Sequence, residues 1–271
     1  MHTSRIHTLI WSVLLSMCIS AVFLTVIQRR HIAACKLWGV PPFDVHFINM
    51  DRATDRLGAW MRRYKATDLY GEHSPIRFEA VDGKRVNISK HVTTKALRQI
   101  LQSERRQYRT LHYELTRGAV GCFLSHRGVW ERLLESDSPA ALVFEDDSII
   151  ADDIGHVLDN ILIPENTDIL LLGYFCNKCK RTSCGVARVR KFFGLHGYLI
   201  TRVGAEKILK QPEMYTIGKQ VDALLGEFAR KGVINIYATT KQHVVQDTGF
   251  KTSIQMTLRE QKGINPWDER L

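Results

Sequence analysis

From residue 44 onward, short runs of apolar residues alternate with longer segments in which apolar residues recur every three or four positions. The first pattern predicts buried strands, and the second predicts helices with one apolar side. The predicted strands cover residues 45–50, 76–81, 140–144, 168–172, 192–200 and 233–237. The predicted helices cover residues 51–64, 91–107, 117–135, 154–162, 202–210 and 221–230. Strands that alternate with helices predict an α/β, Rossmann-like fold with a mainly parallel sheet flanked by helices.

Two segments depart from this alternation. Residues 91–107 have helical spacing but are strongly polar, so we expect them to lie over the surface or to form a mobile flap. From residue 243 onward the chain is polar, and we expect it to be irregular.

The N-terminal part contains an apolar stretch, residues 6–27, that carries no acidic or basic side chain apart from one histidine. It is about long enough to span a bilayer as a transmembrane helix. The predicted division is an uncleaved membrane anchor, a stem and one globular domain, in residues 1–30, 31–43 and 44–271. A cleaved signal peptide is the alternative, but no clear Ala-x-Ala site follows the stretch. Arg29 and Arg30 after the stretch outnumber Arg5 before it, which by charge alone would place the globular domain on the cytoplasmic side.

The chain has 38 lysine and arginine residues against 28 acidic ones, a formal net charge of +10. This excess is dispersed and lacks a stripe of interleaved aromatic residues, which argues against nucleic acid as a partner. A mildly basic surface suits an anionic substrate. Among six cysteines, Cys176, Cys179 and Cys184 cluster in a basic stretch. They could form part of a zinc site, or one local disulfide with a leftover thiol.

The most informative stretch is an apolar run of strand length that ends in Glu145, Asp146 and Asp147, here called the acidic cluster. A run without polar alternation is typical of a strand buried on both faces of a sheet. In open α/β sheets the ligand crevice lies at the carboxyl ends of such strands. Three adjacent carboxylates repel one another unless a cation neutralises them, and oxygen ligands suit Mg²⁺ or Mn²⁺. The cluster therefore predicts a site for a metal ion and a diphosphate. An acidic turn after a core strand is the alternative.

Three further segments place polar residues at predicted strand ends or helix starts. Residues 48–56 lead into a helix whose free backbone amides, with nearby arginines, could bind phosphate. Residues 78–83 end a strand at an Asp-Gly turn. Residues 115–130 contain glycines that allow close backbone approach, and their Ser125 and His126 could face a substrate. Each segment alone also fits a structural role, as a surface helix, a simple turn or a hydrogen-bonded histidine.

In this order and spacing, these segments resemble glycosyltransferase family 25, the lipooligosaccharide and collagen galactosyltransferase group. The family's features look like an Ile-Asn-Leu-x-Arg-x-x-x-Arg start, an Ala-Val-Asp-Gly turn, a Gly-x-x-Gly-Cys-x-x-Ser-His helix and a Glu-Asp-Asp strand end. The corresponding stretches begin at Ile48, Ala80, Gly118 and Glu145. The resemblance implies a GT-A fold and transfer of a hexose, often galactose, from a UDP-sugar to a hydroxyl group with inversion. It also implies Mn²⁺ or Mg²⁺ as cofactor.

The resemblance implies roles for individual residues. The expected nucleotide pocket consists of Asn49, Arg52, Arg56, Asp82, Gly83, Ser125, His126 and, near the ribose, Glu145. The expected metal ligands are Asp147, Asp146 and the C-terminal His243. Asp222 is the first candidate for the base that takes the acceptor proton, and His196 is the second. A helix-terminal acid, a structural histidine and a surface histidine are the respective alternatives for Asp222, His196 and His243.

Several questions stay open at this stage. The acceptor could be a protein, a lipid-linked glycan or a lipopolysaccharide core. Enzymes of this layout usually face the lumen, so we expect a single-pass membrane protein of the Golgi or ER if the source is eukaryotic, and of the inner membrane if it is bacterial. A silent homologue that acts as a binding or adhesion module is an alternative, although three adjacent carboxylates are costly without a cation. A metal-dependent phosphohydrolase is a further alternative.

Overall fold

The computed structural model describes residues 37–111, 113–176, 180–181 and 186–250. Within these ranges, no helix has both the length and the apolar character needed to cross a bilayer. The apolar stretch at residues 6–27 lies outside the described residues, so the membrane anchor stays a prediction.

The described residues form strands and helices that are numbered here in chain order. The strands are β1 (Leu37–Trp38), β2 (Asp44–Asn49), β3 (Ile76–Glu79), β4 (Ala140–Glu145), β5 (Ser148–Ile150), β6 (Ile163–Pro164), β7 (Ile169–Phe175), β8 (Lys180–Arg181), β9 (Val186–Val189), β10 (Phe193–Thr201), β11 (Ile236–Thr239) and β12 (Val244–Gln246). The α-helices are α1 (Thr54–Lys65), α2 (Thr94–Arg106), α3 (Arg117–Glu135), α4 (Ile154–Asn160), α5 (Arg202–Leu209) and α6 (Val221–Lys231). Short 3₁₀ turns occupy Ile88–Lys90 and Pro212–Met214.

The central sheet has eight strands in the order β3-β2-β4-β10-β7-β11-β9-β8. β2 runs parallel to β3 and β4, and β11 runs parallel to β7. β10 lies antiparallel between β4 and β7, and β9 lies antiparallel to β11 and β8. The sheet is therefore mixed, and the expectation of a mainly parallel sheet is wrong. An apolar run reports burial on both faces of a strand but carries no information about its direction.

Helices cover both faces of this sheet. Leu142 and Phe144 of β4 belong to the same buried cluster as Trp60 of α1. The alternate residue Val143 belongs to the opposite cluster, with Trp130 of α3. Burying each of these large side chains contributes about 1.5–3 kcal/mol to stability. The two clusters hold β4 from both sides and so fix the position of the acidic residues at its end.

The polar segment predicted at residues 91–107 forms α2, and Ala96 and Ile100 bury one side of it. An isolated bridge between Val92 and Ile217 ties its start to the segment before α6. α2 therefore lies over the surface with one side packed against the core, as the first of the two expectations states.

The C-terminal part is more ordered than its polar composition indicates. β12 pairs antiparallel with β5, and Val244 is fully buried opposite Ile150. The backbone N–H of Asp247 then donates to the carbonyl oxygen of Asp147 at 2.7 Å. The expected irregularity after residue 243 is wrong for this strand, because a strand of three residues is too short to show a period. β12 carries the C-terminal segment to the acidic cluster.

Cys176 is disulfide-bonded. Cys122, the other cysteine among the described residues, is a free thiol, so the partner of Cys176 lies outside the described ranges. A zinc ligand must be a thiolate, so Cys176 is not one.

Candidate active site

The carboxyl ends of the parallel strands β2, β3 and β4 meet at one edge of the central sheet, where a cleft opens beside the start of α3. The walls of this cleft include the acidic cluster together with Arg52, Arg56, Asp82, Ser125 and His126. Its volume is ≈ 130 Å³. Ligand pockets usually measure about 300–1,000 Å³, so a ligand as large as a nucleotide would extend beyond this cleft.

Asp146 is held by the protein on two sides. Its Oδ2 accepts a hydrogen bond from Asn49 Nδ2 at 2.8 Å, and its Oδ1 lies 2.6 Å from Nη1 of Arg56. Burial raises the pKa of Asp146, although the charge of Arg56 opposes that rise. Because both oxygens already have donors, Asp146 is the weaker of the two aspartates as a metal ligand.

Asn49 acts through Asp146. Its Oδ1 accepts a hydrogen bond from Arg77 Nε at 3.0 Å, and its Nδ2 also donates to the carbonyl oxygen of Ala53 at 3.1 Å. Asn49 is 1 % exposed and is not part of the cleft wall. The structure therefore gives Asn49 a positioning role at the start of α1.

Asp147 is the least satisfied member of the acidic cluster. Its Oδ2 accepts a hydrogen bond from Gln246 Nε2 at 3.1 Å and lies 3.8 Å from Nη1 of Arg56. Its buried Oδ1 has no hydrogen-bond partner among the described residues. Burial, and after it the negative charge of Glu145, raises the pKa of Asp147 to about 7. A buried carboxylate with an unsatisfied oxygen is the feature that a bound cation would explain.

Glu145 ends a chain of hydrogen bonds through the core. Trp130 Nε1 donates to the hydroxyl oxygen of Tyr198 at 2.9 Å, and His126 Nδ1 lies 2.9 Å from the same oxygen. His126 Nε2 lies 3.2 Å from Glu145 Oε1. Because the Tyr198 oxygen accepts from Trp130, its own hydrogen can be donated to His126 Nδ1, and the hydrogen on His126 Nε2 then faces Glu145. His126 therefore donates a hydrogen bond to Glu145.

The ligand atoms of Cys122, His126 and Glu145 lie within 4.8 Å of one another, close enough to hold a metal ion. Burial raises the pKa of the Cys122 thiol, so its sulfur stays protonated. The His126 nitrogen that faces Glu145 carries a hydrogen. Burial is the largest single influence and raises the pKa of Glu145, but the hydrogen bonds from His126 and Cys122 and the charge interactions with His126 and His196 together outweigh it, so the pKa is lowered. Hydrogen bonding thus accounts for this trio, and its sulfur donor does not suit Mg²⁺ or Mn²⁺.

The close approach expected of the glycines in residues 115–130 is confirmed at Gly121. A Cβ atom on Gly121 would lie 2.4 Å from the carbonyl oxygen of Val81, and one on Gly83 would lie 1.8 Å from the carbonyl oxygen of Arg117. Ser125 Oγ accepts from the N–H of Val81 and donates to the carbonyl oxygen of Gly121, both at 2.8 Å. The Asp-Gly turn after β3 is therefore bound tightly to α3.

The mouth of the cleft carries positive charge. Arg52 forms an ion pair with Asp82, and the side chain of Arg52 remains 52 % exposed. Hydrogen bonds from the Lys84 backbone and from Arg52 overcome the effect of burial, so the pKa of Asp82 is lowered. Arg52 and the exposed Lys84 are the cleft cations that a ligand could reach from solvent.

The two candidate bases lie in different surroundings. Asp222 lines a second pocket, and its Oδ2 accepts a hydrogen bond from the N–H of Gly194 at 2.9 Å. His196 is 1 % exposed and is not part of the wall of either cavity. Its Nε2 has no hydrogen-bond partner within the described part of the chain. Burial lowers the pKa of His196, and the charge of Glu145 opposes this.

His243 is not part of the cleft wall, and the charged groups that influence it are Lys241 and Asp153. The C-terminal residue beside Asp147 is instead Gln246, which is part of the cleft wall. Sequence reasoning missed Gln246 because a single glutamine in a polar segment gives no signal.

The family model "Glycosyltransferase family 25 (LPS biosynthesis protein)" matches residues 43–225. This range is more than half of the chain and contains the acidic cluster, the Asp-Gly turn and the glycines that bind it to α3. The chain belongs to glycosyltransferase family 25.

Two curated relatives in family 25 show how far the similarity reaches. Human procollagen galactosyltransferase 2 is 37% identical over 106 residues, which are 38% of this chain and 15% of the human protein. The mouse protein named inactive glycosyltransferase 25 family member 3 is 32% identical over 102 residues, which are 35% of this chain and 16% of the mouse protein. The chain thus covers far less than two thirds of either relative.

A solved structure of the galactosyltransferase LgtC, in complex with donor and acceptor sugar analogs, is similar to this family 25 chain with a TM-score of 0.39. The sequence identity is 12%, and the match covers 76% of this chain and 87% of the other. At this TM-score the likeness carries no inference.

Proposed function

We propose that this family 25 protein is an inverting glycosyltransferase of the GT-A type. It would move a hexose, with galactose as the first candidate, from a UDP-sugar to a hydroxyl group of a glycan, a lipid-linked glycan or a protein. The observation that carries this proposal is Asp147, a buried carboxylate at the end of a central strand whose Oδ1 lacks a donor among the described residues. Such a group is costly to bury unless a cation or another partner binds it.

The residues at the acidic cluster fit a divalent cation. Among the described residues, Arg56 is the one lysine or arginine that pairs with the acidic cluster, and it reaches Asp146 and Asp147 but not Glu145. Asp147 would hold the ion, with Asp146 and Gln246 beside it. A bound Mn²⁺ or Mg²⁺ ion would neutralise the diphosphate and the charge that develops on the leaving group.

The cleft offers specific contacts for a nucleotide. Arg52 and Lys84 at its mouth would attract the diphosphate. Glu145 is 24 % exposed, and its hydrogen bond from His126 fixes its orientation. An ionised carboxylate in that position would accept hydrogen bonds from ribose hydroxyls. The Asp82-Gly83 turn, held by Ser125, would form the opposite wall.

Asp222 is the proposed catalytic base, because it lines a pocket that an acceptor can enter whereas His196 does not. In a single displacement, the acceptor oxygen bonds to the anomeric carbon while the bond from that carbon to the diphosphate oxygen breaks. The hydroxyl proton moves to the Asp222 carboxylate, and UDP leaves with the bonding electrons. Inversion at the anomeric carbon follows from one displacement.

The first prediction concerns Asp147 and is tested by calorimetry with UDP. The wild-type protein should bind UDP about 10-fold or more tightly with Mn²⁺ than with EDTA, and Asp147→Asn should remove this difference. Asp159→Asn, an exposed aspartate outside the cleft, is the control and should behave as wild type. Asp147→Asn should also leave the melting temperature of the metal-free protein unchanged or higher. Equal UDP affinity with and without Mn²⁺ in the wild-type protein would refute the proposed function.

A silent binding module is the second candidate, and two observations favour it. One relative is named inactive. In this chain Asn49 and Arg56 also occupy both oxygens of Asp146. Incubation with a panel of UDP-sugars and Mn²⁺ separates the two functions. Release of UDP from any of these UDP-sugars supports the transferase. Tight metal-dependent UDP binding without such turnover of a UDP-sugar supports the silent module.

We also propose that residues 1–30 anchor the protein in a membrane with the globular domain on the non-cytoplasmic side. The disulfide at Cys176 supports this side, because disulfides persist in oxidising compartments. Protease added to sealed vesicles whose cytoplasmic face is outward tests the orientation. The domain should be protected, and its digestion would count against this orientation.

A further inference from the structure

The second pocket lies between the start of α2, residues 191–193 and α6. Its volume is ≈ 510 Å³, which falls within the range of about 300–1,000 Å³ that ligand sites occupy. Asp222 lies in its wall, and the aromatic rings of Tyr113 and Phe193 contribute apolar surface. Tyr113 is 59% exposed, so its ring is available to a ligand. The pocket can therefore admit at least one sugar ring.

The wall of this pocket carries mostly positive charge. It contains Lys95, Lys191, Lys219 and Arg230, against the single carboxylate of Asp222. The charges of Lys219 and Arg230 are partly engaged within α6 and its surroundings. Glu227 pairs with Lys219, and Arg230 Nη1 donates to the carbonyl oxygen of residue 190 at 3.0 Å.

Lys95 and Lys191 are the cations that remain open to a ligand. Both are exposed, and neither pairs with a carboxylate in the described ranges. The ammonium group of Lys191 lies 5.9 Å from the centre of the Phe193 ring. The two lysines come from α2 and from the segment before β10, so they face the pocket from different elements. A ligand with negative charge would pair with them.

β10 connects the second pocket, to which it contributes Phe193, with its neighbouring strand β4, which ends at the cleft. Asp222 accepts from the N–H of Gly194, and a Cβ atom on Gly194 would lie 2.9 Å from His196 Nδ1. His196 is in turn close enough to Glu145 for their charges to interact. Asp222 thus lies in the wall of the second pocket, and its charge also reaches Cys122 in the wall of the cleft.

We propose that the second pocket binds the acceptor and that this acceptor is an anionic sugar, which carries a carboxylate or a phosphate group that Lys95 and Lys191 recognise. The inference rests on the proposed transferase function, because it assigns the pocket beside the proposed base to the acceptor. The aromatic rings of Tyr113 and Phe193 would pack against the sugar ring, and the lysines would fix the anionic group. The hydroxyl that is glycosylated would then face Asp222.

Three matched probes test this proposal: methyl galactoside, which is neutral, methyl galacturonide, which carries a carboxylate, and methyl galactoside 6-phosphate. Binding is measured by NMR titration at low ionic strength, with UDP and the diamagnetic ion Mg²⁺ present in excess so that the cleft is filled. We expect at least one anionic probe to bind about 10-fold more tightly than the neutral one, as charge-assisted hydrogen bonds allow. The preferred anionic probe identifies the group that the pocket selects.

The variant that tests the lysines is Lys95→Gln combined with Lys191→Gln, which should reduce the preference to within about 3-fold. The control is Lys210→Gln combined with Lys241→Gln, two exposed lysines outside both cavities, which removes the same charge and should keep the full preference. Equal binding of all three probes to the wild-type protein would overturn the inference. So would a preference that survives in the first variant, or that falls equally in the control.

The failure of this inference is distinguishable from the failure of the proposed function. Metal-dependent UDP binding without any preference for an anionic probe would refute the charged acceptor and leave the transferase proposal standing. Absence of metal-dependent UDP binding would refute the transferase proposal itself.

Discussion

The hydroxyl group of Tyr198 fixes which nitrogen of His126 carries the proton. Replacing it in Tyr198→Phe should leave Trp130 Nε1 and His126 Nδ1 without their partner in a buried site. We expect the free energy of unfolding to fall by about 1–3 kcal/mol, because each buried polar group would lose its hydrogen bond. Denaturant unfolding gives the stability, and ¹⁵N NMR of the imidazole gives the tautomer.

The matched control for this variant is Tyr237→Phe, because the Tyr237 hydroxyl lies 3.4 Å from Asn166 Oδ1, at the limit of a hydrogen bond. The control should cost less than about 0.5 kcal/mol. A Tyr198→Phe protein that keeps both wild-type stability and the same His126 tautomer would show that the chain of hydrogen bonds is assigned wrongly.

The buried position of His46 leads to a separate prediction about how stability depends on pH. It is 3% exposed, and burial lowers its pKa, with Asp44 opposing and Arg132 adding to the shift. Because the folded-state pKa lies below the unfolded value of about 6.5, the unfolded chain binds the proton first as the pH falls, and stability is lost on acidification. His46→Leu should therefore lose less unfolding free energy than the wild type between about pH 7 and about pH 5.

Denaturant unfolding at the two pH values measures this difference. His156→Leu, at an exposed position, is the control and should lose as much stability as the wild type. An identical loss in His46→Leu would mean that His46 is not buried in its neutral form.

At the scale of single residues, the sequence located the acidic cluster but not the different states of its members. The three residues are chemically alike. In the structure, however, Arg56 and Asn49 provide hydrogen bonds to both oxygens of Asp146, whereas burial, and after it the negative charge of Glu145, raises the pKa of Asp147. That difference depends on side chains from α1 and β2, which the order of residues along β4 cannot show. Gln246 was missed for the same reason.

At the scale of elements, the contact between α3 and the turn after β3 makes a sharp prediction. Gly121→Ala would place a methyl group 2.4 Å from the carbonyl oxygen of Val81, so the turn or the helix would have to shift. We expect a loss of about 1–3 kcal/mol in unfolding free energy, together with weaker UDP binding. Gly58→Ala is the control, because its Cβ would meet only the flexible end of Arg62 at 3.5 Å.

The control should gain about 0.5–1 kcal/mol, since alanine suits a helix interior better than glycine does. If Gly121→Ala were as stable as the wild type and bound UDP equally well, the tight contact between turn and helix would have no part in forming the cleft.

Helices and central strands were predicted well, and strand direction was not. The helix expected at residues 117–135 coincides with α3, and the strands expected near the acidic cluster lie within a residue or two of β2 and β4. The apolar pattern of the helix and the apolar runs of these strands are long enough to be recognised in the sequence. β10 inserts antiparallel between β4 and β7, and β12 has three residues, so neither feature leaves a pattern in the sequence.

At the scale of the whole molecule, part of the excess of basic residues forms a cluster that is visible only in the folded structure. Along the sequence this excess is dispersed, but the fold gathers Lys95, Lys191, Lys219 and Arg230 around one pocket. These residues come from separate segments that share no motif. The linear sequence therefore does not show that these four residues lie together.

The two cavities are built from different parts of the chain. β2, β3, β4 and the start of α3 enclose the cleft, whereas α2, α6 and the residues before β10 enclose the second pocket. β10 contributes Phe193 to the wall of the second pocket and pairs with β4, which ends at the cleft. Substitutions in the α2 and α6 walls can accumulate without changing the contacts that hold Asp147. The same scaffold can therefore acquire new specificities in the second pocket while the cleft stays unchanged.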